Sequence, residues 1–367
     1  MNFDYTNDEK ILQASVNRMF KEYVSIDKVR GFLENGNLPD SLIEILSSQG
    51  LLSTISWEEK SESIEGITYA VLTSIEAGRV LLPFPLLENS VASYILQKYG
   101  SNSIYEEILT CEELCTIAWE SYNGSMRKSH EGFQLTGKYS FVPFAENVNY
   151  MLTKVELEGN NDAIAIVNLS DDSVSVKKRN SIDETYPLYD VILSEYNVTT
   201  ENLLINNDEE SSIHKDIETL GRILICAEMV GLSEEILNKT VAYSNERKQF
   251  NQSISKFQAL KHMAAESYLL LEGSKAALDY ATAVIDSNED EDIVKITSIV
   301  KSYVSDASNE ITGTAIQMHG GIGYTWESDV HLYFKRSRRS ATMLGDVYFH
   351  RELISRLLLD EKVKVSI

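Results

Sequence analysis

Two segments in the last third of the chain combine residue types able to hold an anion. The first runs Tyr243-Ser244-Asn245-Glu246-Arg247-Lys248-Gln249-Phe250, with Phe257-Gln258 soon after. The second runs Gln317-Met318-His319-Gly320-Gly321-Ile322-Gly323-Tyr324-Thr325-Trp326. Paired glycines lack the side chain that keeps a backbone away from a bulky anion, and the planar fork of an arginine matches phosphate oxygens. Together they suggest a site for the diphosphate of a dinucleotide. Taken singly, each segment has a plainer reading: an ordinary helix-to-helix turn for Gly320, Gly321 and Gly323, and a surface ion pair for Arg247. The basic run Lys335-Arg336-Ser337-Arg338-Arg339 has two evenly weighted readings, an anion-attracting patch or one solvated helix face. Metal chemistry is not indicated. Cys111, Cys115 and Cys226 make no ligand quartet, and no H-E-x-x-H spacing occurs among the scattered histidines.

The elements that must carry these residues follow from length, charge and the period of the apolar positions. At 367 residues, two or three structural units are expected. Against 33 Lys and Arg stand 56 Asp and Glu, a formal net charge of −23 that repels phosphate backbones and anionic lipid. Nucleic-acid and membrane-surface roles are therefore not expected. No apolar run approaches the roughly 18 to 20 residues of a membrane span, and MNFDYTNDEK lacks the order of a secretory signal, so the expected location is the cytoplasm.

Three zones separate by period. Residues 1–110 read as mostly helical, opening with Thr6 and Glu9 in capping-box spacing and Leu12, Val16, Met19, Phe20, Tyr23 and Val24 on one face. Residues 111–208 carry β-branched and aromatic runs (116–119, 133–142, 150–155, 163–167, 188–193) punctuated by turn-forming clusters at 122–125 and 159–162, an antiparallel β domain. Residues 209–367 return to a helical period in long segments, a bundle. The fold class is α+β.

The two anion-holding segments, about 70 residues apart in a bundle that follows a β domain, resemble the acyl-CoA dehydrogenase family of flavoproteins. That family carries R-x-Q-F in one C-terminal helix and Q-x-x-G-G-x-G-Y between two later ones. The resemblance covers essentially the whole chain, including the family's E-P-x-x-G-S-D loop, matched by Glu120-Ser121-Tyr122-Asn123-Gly124-Ser125-Met126, where Ser121 and Met126 replace proline and aspartate. It implies the family fold, an N-terminal helical domain, a middle antiparallel β domain and a C-terminal four-helix bundle. It also implies FAD as cofactor. Arg247 would reach the pyrophosphate of a neighbouring subunit's FAD, with Phe250 near the adenine. Gln317, Gly320 and Gly321 would hold the adenosine diphosphate half from the other subunit, and Ser125 would lie near the flavin. The resemblance further implies an acyl-CoA or acyl-carrier-protein substrate, a homodimer or homotetramer, and an electron-transfer partner or oxygen as acceptor.

Three departures accompany the matches. The family chemistry takes an α-proton from an acyl thioester with a carboxylate, while the β-hydrogen leaves as hydride to the flavin, so a base is required. The position of the usual E-G-T glutamate is Leu344, in Met343-Leu344-Gly345-Asp346. The alternative glutamate position, just before an arginine in the first bundle helix, is Gly221, ahead of Arg222. The family's W-I-T segment at the flavin matches Phe141-Val142-Pro143, and proline offers neither a hydroxyl nor an N–H. Asp346 and Glu228 are weak substitute bases, each more readily read as a capping or interface carboxylate. A chain that keeps cofactor contacts and lacks the base also fits a partner subunit of a hetero-oligomeric dehydrogenase. A flavin-dependent tailoring oxidase or oxygenase is the remaining alternative, since one scaffold supports several chemistries.

Overall fold

The capping box at the N-terminus forms as its spacing requires. Glu9 N–H donates to Thr6 Oγ1 at 3.3 Å, Thr6 N–H donates to the Glu9 carboxylate, and helix α1 (Asn7–Tyr23) buries Val16 and Phe20. The computed structural model describes residues 5–36, 40–58, 63–100, 106–108, 113–119, 123–129, 132–157, 160–206, 212–287 and 292–359. The expected boundaries at 110/111 and 208/209, and Glu120, Ser121 and Tyr122, lie outside the described residues.

Helices α2 (Ile26–Asn35), α3 (Asp40–Ser48), α4 (Ile67–Arg79) and α5 (Leu86–Tyr99) complete the N-terminal part, with a short hairpin of β1 (Ser56–Glu58) and β2 (Ser63–Glu65) that no apolar alternation announced. The middle part holds two four-stranded sheets. One runs β10-β7-β6-β3, from β3 (Cys115–Ile117), β6 (Tyr150–Leu157), β7 (Asn160–Asn168) and β10 (Leu203–Ile205); the other runs β4-β5-β9-β8, from β4 (Asn123–Ser129), β5 (Gly132–Pro143), β8 (Val174–Lys178) and β9 (Leu188–Val198). All neighbours are antiparallel except β3 and β6. Residues 123–125, expected in a turn, begin the edge strand β4 instead. Residues 124, 125 and 127–129 are exposed, so no period-2 burial marked the strand, and pairing with β5 holds it in place.

The C-terminal bundle consists of α6 (Ile213–Glu246), α7 (Gln258–Ser287) and α8 (Ile293–His319), with the shorter α9 (Val330–Thr342) and α10 (Val347–Leu359) packed on α8. This is the N-terminal helices, antiparallel β region and C-terminal bundle that the sequence implies. Among the described residues no helix is long and apolar enough to cross a membrane.

By contact the chain divides into two compact units interleaved along the sequence. One lies within Met1–Glu34, Val71–Leu82 and Arg222–Ser366; the other is drawn mainly from Asn35–Ala70 and Pro83–Gly221. In the first unit α4 and α6 meet backbone to backbone. A Cβ on Gly78 would lie 2.1 Å from the Glu228 carbonyl oxygen, and one on Gly231 would lie 1.8 Å from that of Ile75. Only glycine permits this reciprocal approach, which fixes Glu228 deep in the bundle. In the other unit, Asn89 on α5 donates to the Leu52 carbonyl at 3.1 Å and accepts from Cys115 N–H at 2.9 Å, tying the helix to β3.

Candidate functional site

The arginine segment and the double-glycine segment meet at one end of the bundle. Tyr243, in the last turns of α6, stacks on His319, the last residue of α8, at 4.3 Å between ring centres and 19° between planes. Arg247 therefore follows α6, and Gly320 follows α8, from two helix ends already in contact. The R-x-Q-F segment was expected within a helix; instead α6 stops at Glu246, and Lys248–Gln249 pair with Gln252–Ser253 as a small hairpin. Phe250 and Asn251 form its two-residue tip, both with positive φ (52° and 59°), the geometry of a tight hairpin turn. Phe250 is 84% exposed and meets Phe257 edge to face at 6.0 Å. Arg247 is exposed and makes no ion pair among the described residues, so its plainer reading as a surface ion pair does not hold.

The glycines divide into two kinds. Gly320 ends α8 with φ of 65°, a conformation that itself calls for glycine, whereas Gly321 has no such φ, and nothing lies within 4 Å of where its Cβ would be. Gly323 is buried, its would-be Cβ 3.0 Å from the Ile316 carbonyl oxygen. Gly320, Gly321 and Gln317 are exposed. The chain's own packing thus gives Gly321 no reason to be glycine. An open, side-chain-free backbone and an exposed guanidinium at the same end of the bundle suit the diphosphate of a dinucleotide.

The positions where a base was sought form a second cluster in the same unit, apart from Gly221, which is buried in α6 at the edge of the other unit. Leu344 is also buried, and its φ of 57° is unusual for a branched side chain, a conformation that costs roughly 1–2 kcal/mol. Gly345 follows with φ of 97°, and a Cβ there would come within 2.4 Å of the Phe349 ring. Asp346 is exposed and caps α10, its Oδ1 accepting from Phe349 N–H at 2.8 Å. Glu228 is buried with both oxygens engaged: Arg336 donates to Oε1 at 2.6 Å, and Ser340 and Arg339 donate to Oε2 at 2.9 and 3.4 Å.

This resolves the basic run differently from either expectation. At helical spacing Arg336 and Arg339 turn inward onto Glu228, while Lys335 lies over the Trp326 ring and Arg338 over Phe334, each 4.9 Å from the ring centre. The run is half ion-paired core and half surface. Asp329, the residue just before α9, makes no side-chain cap and pairs with Arg30 at 2.8 Å.

Two groups around the bend were not singled out in the sequence. Lys301 on α8 is fully buried and donates to Ser305 Oγ at 3.1 Å, Ala341 O at 2.9 Å and Gly345 O at 3.1 Å. Burial holds its pKa down to about 8, against the pull of Cys226 and Asp346 and reinforced by Arg222 and Arg339. His350 is buried too, with Nε2 3.0 Å from Leu344 O, which makes Nε2 the protonated nitrogen; Nδ1 has no partner among the described residues. Burial first, then Arg222 and Lys301, push its pKa down to about 3. A buried lysine in a helical pattern leaves no mark in the sequence beyond a polar residue on an apolar face.

In the other unit Ser125 lies exposed on β4. Phe141 sits on a bulge of β5 with φ of 62°, 47% exposed, with the Arg179 guanidinium 4.2 Å over its ring. Val142 is fully buried and pairs with Tyr189 of β9.

Residues 218–359 match the family model described as acyl-CoA dehydrogenase, C-terminal domain. The chain is 25% identical over 354 residues to the acyl-CoA dehydrogenase IpdE2 of Mycolicibacterium smegmatis, an alignment spanning 96% of this chain and 98% of that protein. It is 32% identical over 272 residues to the acyl-CoA dehydrogenase FadE34 of Mycobacterium tuberculosis, spanning 74% of this chain and 35% of that longer protein. In fold it is similar to a chain of the ChsE4-ChsE5 complex from Mycobacterium tuberculosis, with a TM-score of 0.88 and 20% identity, covering 99% of this chain and 100% of that one. It is also similar to a glutaryl-CoA dehydrogenase from Mycobacterium smegmatis in complex with FADH2, with a TM-score of 0.87 and 13% identity over 98% and 97% of the two chains.

Proposed function

The chain is a member of the acyl-CoA dehydrogenase family, and from that premise we propose that it binds FAD and takes part in α,β-dehydrogenation of an acyl thioester of CoA or of a carrier protein. The observation that carries the reading is the bundle end, where an exposed Arg247 and an open double-glycine backbone follow two helix ends joined by the Tyr243–His319 stack. Arg247 would offer its fork to the diphosphate, and Gly320 and Gly321 would let the backbone approach it. Phe250, exposed at the hairpin tip, offers a face for the adenine. When bound, the cofactor accepts the hydride that leaves the β-carbon. The glutaryl-CoA dehydrogenase of similar fold is a complex with FADH2, in keeping with this assignment.

The α-proton needs a different carrier from the usual one. Leu344 and Gly221 cannot accept it, Asp346 is engaged as a cap, and the carboxylate of Glu228 is shared by two arginines. This favours a second reading on the same premise, in which the chain works as one subunit of a hetero-oligomer whose partner supplies the base. The similar chain within the ChsE4-ChsE5 complex is compatible with it. An oxidase or oxygenase acting on the same scaffold is a third reading, and oxygen-dependent consumption of reduced flavin with an oxygenated product would point to it.

That test is anaerobic titration of the flavin-loaded protein with straight, branched and cyclic acyl-CoA thioesters and their carrier-protein counterparts, following the flavin absorbance. Bleaching by the isolated chain supports dehydrogenation by a homo-oligomer. Bleaching only after a base-bearing family member is added supports the two-subunit form. A protein that takes up no FAD refutes both.

A further inference from the structure

We infer that Lys301 is a positioning residue whose charged ammonium sets the conformation of the bend Ala341–Asp346 and thereby where residue 344 is presented. The geometry is one of counts. An ammonium has three N–H donors and no acceptor, and Lys301 Nζ meets three acceptors: Ser305 Oγ, Ala341 O and Gly345 O. The Ala341 carbonyl belongs to the last turn of α9, where carbonyls lack helical partners and a cation is favoured. The next held carbonyl is that of Leu344, bound by His350 from α10. Carbonyls 341, 344 and 345 are thus held by buried side chains from two different helices, and the chain between them takes two consecutive left-handed residues, Leu344 and Gly345. Left to its own preferences a leucine does not adopt that φ, so the surrounding groups impose it.

Loss of one proton weakens the arrangement. A neutral amine has two N–H bonds and one lone pair, so the Ala341 and Gly345 carbonyls can both be kept only if the Ser305 hydroxyl turns round to donate, and neither carbonyl contact is then charge-assisted. The groups facing Lys301 are Arg222 and Cys226 on α6, Arg339 on α9, Asp346 in the bend and, through the shared bend, His350 on α10. Burial disfavours the charge and the two arginines oppose it, so the titration falls near pH 8 rather than at the ordinary lysine value. Cys226, whose thiol is pushed up to about 12, and His350, neutral above about pH 3, do not titrate there. The bend loosens as Lys301 becomes neutral. That residue 344 faces the reacting thioester rests on the function proposed above; that Lys301 fixes the bend does not.

Hydrogen exchange at the amides of residues 343–347, read by mass spectrometry and corrected for the intrinsic rise with pH, tests the inference on the full chain. Protection in the native protein is expected to fall at least tenfold between pH 7 and 9.5, while amides in the middle of α6 and α8 keep theirs. Lys301→Met should show the reduced protection already at pH 7 with no pH step, and Lys301→Arg should keep the protection across the range. Equal protection of the bend in native protein and Lys301→Met, or a native profile with no step, would overturn it; should Lys301→Met fail to fold, the native profile decides alone. A separate arm places Leu344→Glu beside Leu344→Glu/Lys301→Met in the thioester assay. Inactivity of both with the exchange step intact would count against the functional reading and leave the clamp standing.

Discussion

Replacing Glu228 with glutamine removes the carboxylate shared by Arg336 and Arg339 and leaves two buried guanidiniums in place. Three hydrogen bonds are affected, at 2.6, 2.9 and 3.4 Å. Hydrogen bonds to charged groups are each worth about 1.5–3 kcal/mol, but they are not additive, and the glutamine oxygen can still accept one of them. Arg336 also keeps its long contacts to the Leu81 and Leu82 carbonyls at 3.4 Å. Breaking a buried pair from one side costs about 3–5 kcal/mol, which sets the size of the expected loss. Domains of 150–250 residues lose roughly 2–4 °C in Tm per kcal/mol, and a larger chain loses less, so a drop of about 6–10 °C is expected. Paired melts and urea titrations of native and Glu228→Gln protein at equal flavin load would measure it, with the urea midpoint shifting and the slope unchanged. A stability loss below about 1 kcal/mol would refute the structural role. Normal stability with abolished turnover would identify Glu228 as the base instead.

Gly231→Ala should cost about 3 kcal/mol, because its Cβ would collide with a backbone carbonyl that no side-chain rotation can move, and a urea midpoint measures it. His350 makes the fold acid-sensitive. Its folded pKa lies below the unfolded value, so between about pH 6.5 and pH 3 the unfolded chain binds a proton that the folded one refuses, and stability is lost as pH falls. The full loss is on the order of 5 kcal/mol, and His350→Gln, which retains a donor for Leu344 O, should flatten that part of the stability–pH curve. Arg336→Lys should destabilise by at least about 1 kcal/mol in the same urea assay, since one ammonium replaces the guanidinium fork that reaches both Glu228 and the Leu81 and Leu82 carbonyls.

Where local chemistry and burial point the same way, the sequence reading and the structure coincide. Thr6 and Glu9 cap α1 as spaced, the apolar period of residues 213–319 becomes three long helices, and the runs at 133–142, 150–155, 163–167 and 188–193 lie within β5, β6, β7 and β9. What was not legible depended on partners distant in sequence. Strand β4 is exposed along most of its length and holds its place by pairing alone, so it carries no alternation. The R-x-Q-F segment was expected in a helix because the family pattern places it there, yet a two-residue tip at Phe250 and Asn251 folds it back. The run 335–339 is uniformly basic but for Ser337, and only the position of Glu228 one helix away decides which two members turn inward. Lys301 had no local signal at all, because two of its acceptors are carbonyls 40 and 44 residues further on.

Equilibrium dialysis of FAD against the flavin-stripped protein, native and Arg247→Ala, tests the central claim most directly. Saturable binding is expected, weakened about 10- to 100-fold by the substitution, the loss of one charge-assisted contact to phosphate at about 1.4 kcal/mol per decade. Native protein that binds no FAD, or an Arg247→Ala variant that binds it as tightly as the native chain, would contradict the assignment of the bundle end to the diphosphate.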